Sequence, residues 1–181
     1  MADQSYAELL AGEARAEAAR KRPLRLVLLF LVSFFAMQYV WEMSRGSALE
    51  RFVIHDLTVR PAAWIINSIW PETGVQPSEH RLVATTGRLN ILNGCEGLET
   101  VFLLLAAFAA YPFTWRARLL GMGIGVALVF VLNQARIVSL WQVWTGERAL
   151  FGLLHGTLLP LLMIAVCLAY FLTFLARYEP R

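Results

Sequence analysis

LLGMGIGVALVFVLNQARIVSLWQVW, residues 119–144, is the stretch that decides the fold. It is long enough to cross a bilayer as a helix and carries a single charge, Arg136, with Asn133, Gln134, Ser139 and Gln142 as its polar company. A charge at membrane depth costs roughly 2.5 to 3.5 kcal/mol on insertion scales, so an arginine there usually faces a protein interior or a water-filled site. Asn133 lies one turn earlier on the same helical face, which suits a polar pocket. The alternative is that Arg136 snorkels to the headgroups, since Trp144 is only about 12 Å further along by helical rise.

The rest of the chain agrees with a membrane setting. Of its 181 residues, 58% are hydrophobic and 16% charged, with a mean hydropathy of +0.56, which is too apolar for an ordinary soluble domain. A net charge of +3 and a pI near 9.2 raise the question of nucleic acid. The basic residues punctuate apolar runs and form no stripe, so nucleic-acid binding is not expected. Three further runs have the composition of spans, giving an all-α integral membrane protein with four transmembrane helices at about 26–41, 96–114, 119–144 and 151–176.

Arg20, Lys21, Arg22 and Arg25 precede the first run, so the positive-inside rule places residues 1–25 in the cytoplasm as a solvated helix or frayed tail. A cleaved signal peptide is disfavoured because residues 37–41 are bulky where a small-residue site is needed. Residues 26–181 then form one membrane-embedded domain, with 42–95 as an outer segment. The arginines of that segment weaken the charge asymmetry without reversing it. Within it, Pro61 and Pro71 bracket a short Trp- and Ile-bearing helix that suits the membrane interface. Residues 82–91 read as a small hairpin turning near Thr86 and Gly87.

That hairpin delivers the chain to Asn93-Gly94-Cys95-Glu96-Gly97, at the mouth of the second run. Asn93 followed by Glu96 has the form of a capping box, which makes Cys95 a first-turn residue whose thiolate the helix dipole favours. Glu96 and Glu99 oppose this, and Arg136 supplies the missing cation. Taken alone, Cys95 reads equally well as an inert small residue. His155 opens the last span between Gly152 and Gly156, a spacing that lets helices approach closely. Pro160 removes the amide that would bond the Gly156 carbonyl, so a bend or a freed acceptor is expected beside the histidine. Counting spans inward and outward brings Cys95, Arg136 and His155 to one membrane face. Gly121, Gly123 and Gly125 lie within a span and suit helix packing rather than a nucleotide loop. Cys167 reads as a buried small hydrophobe, about 18 Å beyond His155 by helical rise and so not a disulfide partner of Cys95. His55 and His80 have no ligand-like companions, so no metal and no cofactor are expected.

In order and context these residues resemble the exosortase and archaeosortase family of membrane cysteine transpeptidases. Cys95 and Gly97 match its x-C-x-G element at the start of a span, Asn133 and Arg136 its Asn-x-x-Arg in the next, and His155 the histidine that opens the one after. The likeness covers about residues 80–176; with one span before the core, the chain resembles the shorter bacterial exosortases. The resemblance implies processing of secreted proteins at a C-terminal sorting signal made of a recognition motif, a transmembrane helix and a basic tail. Cys95 would form a thioester, with His155 as general acid/base and Arg136 stabilising the thiolate or oxyanion. Asn90, Asn93, Glu96, Glu99 and Asn133 are expected to contact substrate or support the site. The resemblance also implies a setting in the bacterial inner membrane with the site facing the periplasm or exterior, and as partners secreted substrates, membrane lipids and an acceptor that the sequence does not identify. Two rival readings stand beside it: an intramembrane cysteine protease that only hydrolyses, and a non-catalytic lipid-binding or assembly module in which Arg136 holds an anionic headgroup.

Overall fold

The computed structural model describes residues 2–91, 94–146 and 148–178, with residues 2–22 by their backbone alone. Helix α1 runs unbroken over Ala2–Met43 and passes through Pro23, so the cytoplasmic tail and first span expected as two pieces are one rod. Ser47 then caps a short helix α2 (Ala48–Arg51), its hydroxyl accepting from the Leu49 and Glu50 amides. A π-helical segment, Phe52–Val59, leads into α3 (Arg60–Ile69), with Pro61 in its first turn as the sequence predicted. Its small face, Ala62, Ala63 and Ile66, is buried and packs on α5, while Trp64 is 72% exposed.

The predicted hairpin is part of a three-stranded antiparallel meander, β1 (Gln76–Ser78), β2 (Arg81–Ala84) and β3 (Gly87–Asn90). Ala84 pairs with Gly87, so the turn is Thr85-Thr86, one residue earlier than read. β1 escapes notice because Pro77 argues against a strand; it is tolerated here on a sheet edge.

Helix α4 covers Leu98–Ala110, and α5 covers Trp115–Thr145. The last helical stretch comprises α6 (Phe151–Leu153), a π-helical turn over Leu154–Leu158, and α7 (Leu159–Tyr178). Among the described residues, three stretches are long and apolar enough to cross a membrane: Pro23–Met43, Trp115–Thr145 and Arg148–Tyr178. α4 is apolar but has 13 residues, about 20 Å of rise, so it is shorter than the span expected over 96–114. Pro112 ends it early by forcing Tyr111 into extended backbone, φ −76° and ψ 140°.

Between helices in lipid, close packing substitutes for a hydrophobic drive, and small residues allow it. Gly121 and Gly125 serve this role: a β-carbon at Gly121 would run into the Phe108 ring, and one at Gly125 into Leu104. Phe108 is the centre of a cluster with Phe113, Met163, Cys167 and Phe174 that joins α4, α5 and α7. Cys167 is thus the buried small hydrophobe expected. The close approach predicted at Gly152 and Gly156 does not occur: among the described residues, a β-carbon at either would meet nothing within 4 Å. A second cluster, at the other end of α5, packs Ile137, Leu140 and Trp141 against Ile54, Ile66, Leu82 and Cys95, fixing the outer segment to the helices.

Candidate functional site

The site grows from the tight loop before α4. Asn93 lies outside the described residues, but Cys95 is not in a helical first turn. α4 begins at Leu98, and its N-cap is Gly97 with φ 77°, a left-handed conformation that interrupts the helix. Glu96 turns its carboxylate back onto the loop, its Oε2 accepting from the Gly94 amide at 2.9 Å. The glycine at 97 is required twice over, because a β-carbon there would lie 2.8 Å from the Asn133 Cγ. Gly97→Ala is therefore expected to cost about 1–2 kcal/mol for the backbone alone, with more for displacing Asn133. Thermal unfolding in detergent checks this, and a wild-type melting temperature would refute the tight fit.

Cys95 is 5% exposed, and its Sγ lies 3.4 Å from the Nδ1 of His155 and 3.8 Å from its Nε2. Phe151 stacks on the imidazole, with ring centroids 5.3 Å apart and an interplanar angle of 10°. Phe151 packs in turn edge-on to Trp144, at 5.1 Å. Arg136 is 7% exposed, so it does not snorkel to the headgroups. Its Nη1 donates to the Gly94 carbonyl at 3.0 Å and its Nη2 to the His155 carbonyl at 3.3 Å. Asn133, 3% exposed, packs against Gly97 one turn before Arg136, and its Oδ1 has no hydrogen-bond partner among the described residues. The structure therefore brings Cys95, Arg136, His155, Asn133 and Glu96 together.

Glu99 is exposed and lines a groove of about 630 Å³ with Tyr39, Glu42, Arg45, Gly94 and Glu96. Asn90 is exposed on β3, paired with Arg81. His55 and His80 each have a hydrogen-bond partner: His55 is on the π-helical segment with Nδ1 2.8 Å from the Glu79 carbonyl, and the His80 Nε2, in the turn before β2, accepts from the Arg81 Nε at 3.1 Å. Sequence reasoning missed Phe151 and the double constraint on Gly97. The first was within reach, since Phe151 sits four residues before His155 in a helical run, where side chains stack.

Burial pushes the Cys95 thiol above its ordinary value; Arg136 pulls it down, and Glu96 adds to the upward push. This reverses the expected dipole-stabilised thiolate, because the helix starts after Gly97 and leaves the sulfur in a dry cluster. A raised value means the neutral thiol persists past the pH at which an ordinary cysteine ionises. Alkylation of Cys95 by iodoacetamide should accordingly rise with a midpoint above that of a free thiol. Arg136→Gln should move the midpoint higher still by removing the one lowering influence. A midpoint below the ordinary thiol value would contradict this electrostatic picture.

A family model described as transmembrane exosortase (Exosortase_EpsH) matches residues 12–173. The chain belongs to that family of multi-pass membrane proteins. No curated protein matches the chain. No solved structure matches it either.

Proposed function

We propose that this protein is a membrane cysteine transpeptidase that removes the C-terminal sorting signal of secreted proteins and transfers them to an acceptor. The observation that carries the reading is the 3.4 Å contact between the Cys95 sulfur and the His155 Nδ1, a nucleophile and a base within proton-transfer reach. Because the thiol is held neutral by burial, attack needs a base, and His155 takes the proton as Sγ bonds to the scissile carbonyl carbon. The tetrahedral intermediate collapses with cleavage of the C–N bond, and His155 returns the proton to the leaving amine. A thioester to Cys95 remains. An acceptor nucleophile then gives its proton to His155 and attacks the thioester; the C–S bond breaks and the sulfur recovers the proton. Arg136 supplies positive charge beside the sulfur throughout.

In this reading the site faces the periplasm or cell exterior across the inner membrane, the side on which secreted substrates arrive. The basic run at residues 20–25 supports that orientation. Glu96 and Glu99, beside the groove that reaches Gly94, are the residues best placed to meet substrate on the way to Cys95. Mass spectrometry of a co-expressed substrate tests the proposal. The expected product ends at a new C-terminus that carries an added group. A product with only water added would replace transfer by hydrolysis, and an untrimmed substrate would sink the reading.

A further inference from the structure

In a π-helical turn each carbonyl accepts from the amide five residues on. The turn over Leu154–Leu158 follows this register, with the Leu159 amide donating to the Leu154 carbonyl. The next bond in the series would run from residue 160 to the His155 carbonyl. Residue 160 is proline and has no amide hydrogen, so the acceptor freed by Pro160 belongs to His155 itself, one residue before the Gly156 carbonyl that an α-helical register implies. Arg136 fills the gap from a different helix, its Nη2 3.3 Å from that oxygen. The other arm of the same guanidinium holds the Gly94 carbonyl, in the peptide that leads into Cys95. One planar group therefore ties together the two backbone segments on which the thiol and the imidazole are mounted.

We infer that Pro160 is a positioning residue of the site: by denying the His155 carbonyl its helical donor, it reserves that carbonyl for Arg136 and so sets the imidazole against Cys95. The inference rests on the proposed transpeptidase reading for its activity readout, though not for its geometry. An alanine at 160 restores an amide aimed at the His155 carbonyl, in competition with Arg136. Proline inside a helix is normally unfavourable, so the same substitution should leave the fold as stable as before or more so. Function and stability are then expected to move in opposite directions, which a merely structural proline would not produce.

The experiment is Pro160→Ala in the full chain in membranes. Tail removal is expected to fall about tenfold, the worth of one charge-assisted hydrogen bond to the carbonyl, with an unchanged or raised melting temperature. A second measurement needs no substrate: solid-state NMR of the contact between the histidine carbonyl carbon and arginine Nη, assigned by its absence from Arg136→Lys. That contact should be strong in the wild type and weakened in Pro160→Ala. Wild-type processing by Pro160→Ala, or a loss of processing with the contact intact, would overturn the inference. If the wild-type protein trims no substrate, the transpeptidase reading fails on its own. The NMR contact then decides: weakened in Pro160→Ala, the reservation stands; undiminished, it falls.

Discussion

Cys95→Ala is expected to abolish tail removal, a loss of at least about 10³-fold, while the protein remains in the membrane at wild-type abundance. The sulfur sits in a cluster with Ile91, Leu82, Ile137 and Trp141, and its removal deletes a single heavy atom from that packing. Such a truncation leaves a small void and costs about 1 kcal/mol, far less than unfolding requires. A large loss of activity with a nearly unchanged melting temperature is therefore the signature of a nucleophile. Substrate trimming followed by immunoblot, with melting measured in detergent, separates the two quantities. Continued trimming by Cys95→Ala would favour the lipid-binding or assembly reading.

Arg136→Lys is expected to lose about 10²-fold or more, although the charge is conserved. The guanidinium reaches Gly94 and His155 through different nitrogens, at 3.0 and 3.3 Å, and both acceptors are backbone carbonyls fixed by their own segments. A lysine ammonium is one point at the end of a flexible stem and cannot span both, so at least one buried carbonyl is left without a donor. Each lost hydrogen bond to a charged group is worth about 1.5–3 kcal/mol, so one bond at the upper end of that range, or both together, accounts for the expected deficit. Turnover and melting of the variant check this. Wild-type turnover would show that only the charge matters and that the two-carbonyl tie does not.

The three residues that meet at the candidate site were legible because each violates its surroundings. Arg136 stands alone in an apolar run, His155 opens another, and Cys95 sits where polar chain gives way to apolar. Their contacts were less legible. Asn93 and Glu96 spelled a helix start, yet Gly97 in a left-handed conformation moves it to Leu98, and the Glu96 carboxylate closes the loop instead. Spacing marked Gly121, Gly125, Gly152 and Gly156 alike as small-residue stripes. Only the first two meet a neighbour, because a stripe does not reveal which face of its helix is covered. The length of α4 was overestimated for a similar reason: composition carries on past Ala110, while Pro112 ends the helix. The π-helical register around His155 and the Arg136 donor that meets the His155 carbonyl from another helix are a combination that no local pattern encodes.

The central claim is a covalent bond to one sulfur. Trapping the reaction during turnover and digesting the enzyme for mass spectrometry should find the Cys95 peptide carrying the upstream part of the substrate as a thioester, released by hydroxylamine. Cys167, buried in the α4–α5–α7 cluster, should carry nothing. An unmodified Cys95 in an enzyme that is actively trimming substrate, or an adduct on any other residue, would contradict the account.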